Sequence, residues 1–113
     1  MTIFEKIAAG EIPARIIYEA DDFIAFHDAN PQAPVHILII PRRCAIPRIA
    51  EAKSDDAALL GRMLASAGEI ARKAGVAESG FRLVINNGVD AGESVPHLHI
   101  HLLGGRMMQW PPG

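Results

Sequence analysis

The spacing of apolar positions along this chain changes several times, and each change marks an element. Ile3, Phe4, Ile7 and Ala8 recur at helical spacing, which gathers them on one face of a 3.6-residue turn. Thr2 followed by Glu5 fits a capping box, in which two side chains satisfy free backbone donors at a helix start. Gly10 supplies the stop, and Pro13 forbids further regular helix. Ile16-Ile17-Tyr18 and Phe23-Ile24-Ala25-Phe26 are rich in strand formers and flank Asp21-Asp22, which predicts a hairpin. Asn30-Pro31-Gln32-Ala33-Pro34 reads as a turn, and Val35 to Ile40 as a buried strand ended by Pro41.

Ser54 is placed to cap a long helix, with Asp55 and Asp56 in the first turn where the helix dipole favours acids. Leu60, Leu64, Ala67, Ala71 and Ala74 make one apolar stripe before Gly75 closes it, a pattern that predicts core packing. Phe81 to Asn86 alternates as a further strand, Asn86 to Ser94 is a loop, and Leu98 to Leu103 is the last strand, broken by Gly104-Gly105. The order is helix, strands, helix, strands, without repeats. Short connections favour antiparallel pairing, so the expected class is α+β.

Composition narrows this picture. A chain of 113 residues is the size of one domain, here residues 1–113. Half of the residues are hydrophobic and 21% are charged, which excludes disorder. A second copy would bury more surface than so small a domain can bury alone, so a homodimer is physically reasonable. The net charge of −2 and the scattered Lys and Arg argue against a nucleic-acid partner, because a phosphate backbone needs a clustered basic face. The doublet Arg42-Arg43 is expected to sit solvated at a strand end. Cys44 is the one cysteine, so neither an intrachain disulfide nor a multi-cysteine zinc site is expected. Glu5 and Lys6 fall where a signal peptide would be apolar, and the longest apolar run, Ile37 to Pro41, is too short to span a bilayer. The expectation is a soluble cytoplasmic protein with no membrane partner.

The chemistry concentrates in Pro96-His97-Leu98-His99-Ile100-His101-Leu102. On a strand, alternate side chains share a face, so His97, His99 and His101 face one way while Leu98, Ile100 and Leu102 pack the other way against the long helix. Alternate residues lie about 6.5–7 Å apart, which makes a row of imidazoles able to contact a multi-oxygen anion. Packing alone explains such a row poorly, since buried polar groups need partners. Two adjacent rings could also serve as zinc ligands, completed by His36, Asp28 or Glu93. Three rings in an extended row span roughly 13 Å, too far for one ion. The remaining reading is nucleophilic catalysis: a neutral imidazole attacks phosphorus, and its neighbours restrain its protonation and then donate to the phosphate oxygens. The central position nominates His99.

The stretch from His97 to His101, followed by Leu102-Leu103-Gly104-Gly105-Arg106, resembles the signature of the histidine triad (HIT) superfamily. Ile12-Pro13-Ala14, Ala25-Phe26-His27-Asp28, Pro31-Gln32-Ala33-Pro34-Val35-His36 and Ile40-Pro41 agree with it. The ending Trp110-Pro111-Pro112-Gly113 is similar to the branch of histidine triad nucleotide-binding proteins. The resemblance covers nearly the whole chain. It implies a HIT-like α+β fold, a five-stranded antiparallel sheet with two helices, joined to a second sheet across a homodimer. It implies metal-independent hydrolysis of purine nucleoside phosphoramidates, without a cofactor, through a nucleotidyl-histidine on His99. By the same resemblance His97 and His101 orient and stabilise, His36 supports the cluster, and Ser94 bonds the phosphate or leaving amine. Asn86 lies at the phosphate side and Asp28 holds the ribose hydroxyls.

The residues themselves leave alternatives open. Asp28 is equally a turn cap, Asn86 a turn residue, Ser94 a cap and His36 a core histidine. Ile3, Phe4, Ile7 and Phe26 suit either a slot for the base or the core, and His27 is expected to be structural. Two positions depart from the family pattern. Glu93 stands where relatives carry glutamine, and its carboxylate is expected to repel an anionic substrate. Pro96 replaces a tyrosine and stiffens entry to the strand. Rival functions are a dinucleoside polyphosphate hydrolase of the same superfamily, a nucleotide-binding interaction protein with incidental activity, and a zinc-binding protein.

Overall fold

The computed structural model describes residues 2–43 and 46–113; the expectation for Cys44 lies outside them. Helix α1, Ile3–Ala8, starts with the capping box, in which the Glu5 N–H donates to Thr2 Oγ1 and the Thr2 N–H donates to Glu5 Oε1, each at 3.1 Å. Strands β1 (Ile16–Glu19) and β2 (Phe23–His27) form the predicted hairpin. Strand β3 runs Val35–Pro41, β4 Phe81–Val84 and β5 Ile100–Gly104. They make one antiparallel sheet in the order β1-β2-β3-β5-β4, so the class is the α+β arrangement expected.

Both faces of the central strands are covered, which is why they read as unbroken apolar runs. Ile37 and Ile39 share one face with Phe23, Ala25, Ile100 and Leu102, and pack against Met63, Ala67, Ile70 and Ala71. Ile24, Phe26, Leu38 and Ile40 take the other face, closed by Phe4 of α1. By strand parity His36 and His101 belong to this second face, since His101 pairs with Leu38 and His36 with Leu103.

Several boundaries differ from the sequence expectation. The long helix is two pieces, α2 (Ala57–Ala65) and α3 (Ala67–Ala74). At the join, the buried Ser66 Oγ donates to the Met63 carbonyl at 2.7 Å, a local bond that competes with the helical ladder. Ser54 lies within a 3-10 turn, Ser54–Asp56, and Asp56 Oδ2 accepts the Lys53 N–H at 2.9 Å. Met63 and Ile70 occupy the deepest helix positions, whereas Leu64 of the expected stripe is 47% exposed. Gly75 closes α3 in the left-handed conformation (φ 80°), as a helix stop requires. Arg42 follows β3 as expected but is half-buried, its Nε donating to the Ala20 carbonyl at 2.8 Å.

The last strand is also shorter at its start. Pairing of β3 with β5 stops at Ile39 opposite Ile100, and the next donor on β3 would have to come from Pro41, which has no N–H. His97 and His99 therefore precede the strand, and of the three only His101 lies in β5. The N–H of Leu98 goes instead to the Ile46 carbonyl at 2.9 Å.

Candidate active site

Four histidines gather on the α1 face of the sheet, and main-chain groups fix where their protons sit. The Gln32 N–H donates to His36 Nδ1 at 3.0 Å, so that nitrogen offers a lone pair. A neutral His36 then carries its proton on Nε2, which stands 2.9 Å from His101 Nδ1. His101 Nδ1 accepts, and its own proton lies on Nε2. Burial pushes His36 below its ordinary value despite Asp28. His101 is pushed down to about 4, first by burial and then by its histidine neighbours. Both rings are thus neutral near pH 7, as this pattern of donors requires.

His99 has the opposite tautomer. Its Nδ1 lies 2.7 Å from the His97 carbonyl, which only accepts, so Nδ1 carries the proton and Nε2 the lone pair. Among the described residues no group takes that Nε2 in a hydrogen bond. The ring is 6% exposed, edge-on to Phe4 and to His101 with centroids 4.9 Å away in each case. His97 is turned away, its Nε2 donating to the Pro41 carbonyl at 3.2 Å, and burial lowers its pKa. The imidazoles therefore do not form the evenly pitched row expected from an extended strand. His99 and His101 converge, and His97 braces the approach to them. A ring with a free lone pair beside one bearing an N–H is equipped for nucleophilic attack with charge stabilisation.

A cavity of about 750 Å³ opens beside this cluster, behind Phe4. Ile3, Phe4, Ile7, Phe26, Asp28 and Ser94 line it, all of them singled out in the sequence. Asn86, half-buried after β4, does not line it, nor do His36, His97, His99 and His101. Sequence reasoning missed Ile12, Pro13, Leu38 and His27 on its walls. Pro13 was legible as a helix breaker and, with Ile12, as part of a family motif but not as a wall residue, and His27 shares the wall by ending β2 next to Asp28. Asp28 has two engagements: Oδ1 accepts the Asn30 N–H at 2.9 Å as a turn cap, and Oδ2 stands 3.5 Å from His36 Nε2. A second, more open cleft of about 600 Å³, bordered by Tyr18, Asp22 and Arg62, gathers no histidine.

Donor atoms of Asp28, His36 and His101 lie within 4.8 Å of one another, and among the described residues this is the group able to hold a metal. Two of those atoms face each other at 2.9 Å in a hydrogen bond, closer than the roughly 3.3 Å between ligands around tetrahedral zinc. An ion there has to break that bond.

The concern over Glu93 needs correction. Arg48 holds its carboxylate with both ends, Nε to Oε1 at 2.9 Å and Nη2 to Oε2 at 3.1 Å. The Gly88 N–H adds a third bond at 2.9 Å. These bonds hold the Glu93 carboxyl below its ordinary value and raise Arg48 above its own. The charge expected to repel an anion is matched by a guanidinium 45 residues away in sequence, for which no local pattern gave a signal.

An antiparallel five-stranded sheet carrying a histidine cluster beside an apolar cavity defines a class, and the comparisons place the chain in it. The HIT domain model matches residues 9–108, so the chain belongs to the HIT domain family. An uncharacterized HIT-like protein of Synechocystis is 54% identical over 99% of this chain and 96% of its own length, and one of Synechococcus elongatus matches to the same extent. The crystal structure of a HIT family hydrolase from Legionella pneumophila superposes with a TM-score of 0.94 at 47% identity, covering all of both chains. A HIT family hydrolase from Clostridium thermocellum gives 0.91 at 44%, covering 96% of this chain and 93% of its own.

Proposed function

We propose that this chain is a hydrolase of purine nucleoside phosphoramidates, within the nucleotide-binding branch of the family. The observation that carries the reading is the free Nε2 of His99, whose ring is fixed by its Nδ1 bond to the His97 carbonyl beside a cavity within the size range of small-molecule sites. In this reading the Nε2 lone pair forms a bond to the α-phosphorus as the P–N bond breaks, and the amine departs with a proton from solvent. Water then cleaves the nucleotidyl-histidine, releasing the nucleoside monophosphate and restoring His99. The His101 Nε2–H donates to the phosphate oxygens, with His36 holding His101 from behind. Ser94 and Asn86 approach the phosphate, and Asp28 accepts the ribose hydroxyls. Ile3, Phe4, Ile7 and Phe26 enclose the base.

The same reading treats residues 1–113 as one domain of a cytoplasmic homodimer. Its support for the homodimer is that β4 forms a sheet edge paired to β5 and is open to a second copy. Labelled adenosine phosphoramidate is the test. Quenched reactions should carry a nucleotidyl group on His99, and His99→Ala should abolish product. Unchanged turnover in that variant refutes the mechanism.

A further inference from the structure

We propose that Arg48 is a positioning and charge-matching residue of this site: it fixes the loop bearing Ser94 and pairs with the Glu93 carboxylate beside that serine. The inference rests on the reading that an anionic phosphoryl group is attacked at His99.

The loop of residues 85–95 packs on the two cores at its ends, through Ile85 and Val95, while the stretch between them carries little apolar packing. It contains one 3-10 turn, Val89–Ala91, and two glycines, Gly88 and Gly92, with positive φ. Val89 is 94% exposed, so the loop is anchored by polar contacts rather than by a buried side chain at its tip. Within it, Glu93 closes the turn by accepting the Gly88 N–H on its side chain and giving its own N–H to the Gly88 carbonyl at 3.1 Å.

Outside it, one short segment after β3 provides the anchorage. Arg48 takes Glu93 bidentately, the Ala50 N–H donates to Asn87 Oδ1 at 2.8 Å, and the Ile46 carbonyl takes the Leu98 N–H. Arg48 also pairs with Glu51. Planar guanidinium-to-carboxylate pairing fixes direction as well as distance. Ser94, the next residue after Glu93, lines the cavity, so the Arg48–Glu93 pair holds the backbone that presents it.

The electrostatic consequence is separable from the geometric one. Glu93 directly precedes Ser94 on the cavity wall, so its carboxylate stands at the edge of the site. With Arg48 in place that carboxylate is paired, although the guanidinium is shared with Glu51. Without Arg48, an anion arriving at His99 meets an unmatched negative charge.

The test uses the full chain with Arg48→Met, which keeps much of the apolar stem, Arg48→Lys, which keeps charge without the fork, and Arg48→Met combined with Glu93→Gln. Affinity for adenosine monophosphate and for uncharged adenosine is measured at low and high salt, together with KM and kcat for the phosphoramidate. Arg48→Met should weaken monophosphate binding and raise KM about fivefold at low ionic strength. Adenosine affinity should change less than about twofold, and the loss should fade near 1 M salt, where charges are screened beyond about 3 Å. Arg48→Lys should fall between wild type and Arg48→Met. In the Glu93→Gln background, Arg48→Met should cost less than about twofold.

Equal weakening of monophosphate and adenosine, independent of salt and not relieved by Glu93→Gln, overturns the inference while leaving the hydrolase reading intact. A folded wild-type protein that binds no monophosphate removes that reading and this inference with it.

Discussion

Lowering the pH from 7 toward 4 should destabilise this protein through its buried histidines. His36, His97 and His101 all have pKa values lowered chiefly by burial, and His101 is carried from 6.5 to about 4. The unfolded chain accepts a proton near 6.5 that the folded protein refuses until about 4. Stability from His101 is therefore fully present above pH 6.5 and is lost as pH falls through that interval. At about 1.4 kcal/mol per pH unit, the whole interval is worth about 3 kcal/mol as an upper figure. That is a large share of the roughly 5–15 kcal/mol that holds a small domain together. The Glu5 and Glu93 carboxyls are held below their ordinary 4.5, so their contributions fade only at lower pH. Urea unfolding followed by far-UV circular dichroism at half-unit steps measures the slope; Trp110, 82% exposed, is a poor probe. His101→Asn should flatten the curve between pH 6.5 and 4.5 by up to about 1.4 kcal/mol per unit. A wild-type curve level over that range, or an equal slope in the variant, refutes the reasoning.

Two further substitutions test the packing. Met63→Ala, at a fully buried helix position facing the sheet, should cost about 2–5 kcal/mol by thermal or urea unfolding. Gly105→Ala combines a φ of +90° with a Cβ placed 2.8 Å from Pro34 Cβ, and should cost about 1–3 kcal/mol in the same assay.

What was legible in the sequence was local. The capping box of α1, the β1–β2 hairpin and the glycine stop of α3 each depend on residues a few positions apart. Alternation correctly put Ile100 and Leu102 on the helix side of the sheet and His101 on the other. It failed for the ring spacing, because a proline on the neighbouring strand ends the ladder before His99. The contact of His36 with His101 and the clamp of Arg48 on Glu93 join residues 65 and 45 positions apart. Both depend on tertiary placement, which no local period specifies. The break at Ser66 turned on one hydroxyl choosing a carbonyl three residues back.

The hydrogen bond that gives the His36–His101 pair its direction begins on the amide of Gln32 rather than on a side chain. Any amino acid with an amide hydrogen supplies the same donor, so the wiring is insulated from most mutation at position 32. Proline alone would cut it, leaving the main chain with no hold on which way the imidazole wire points.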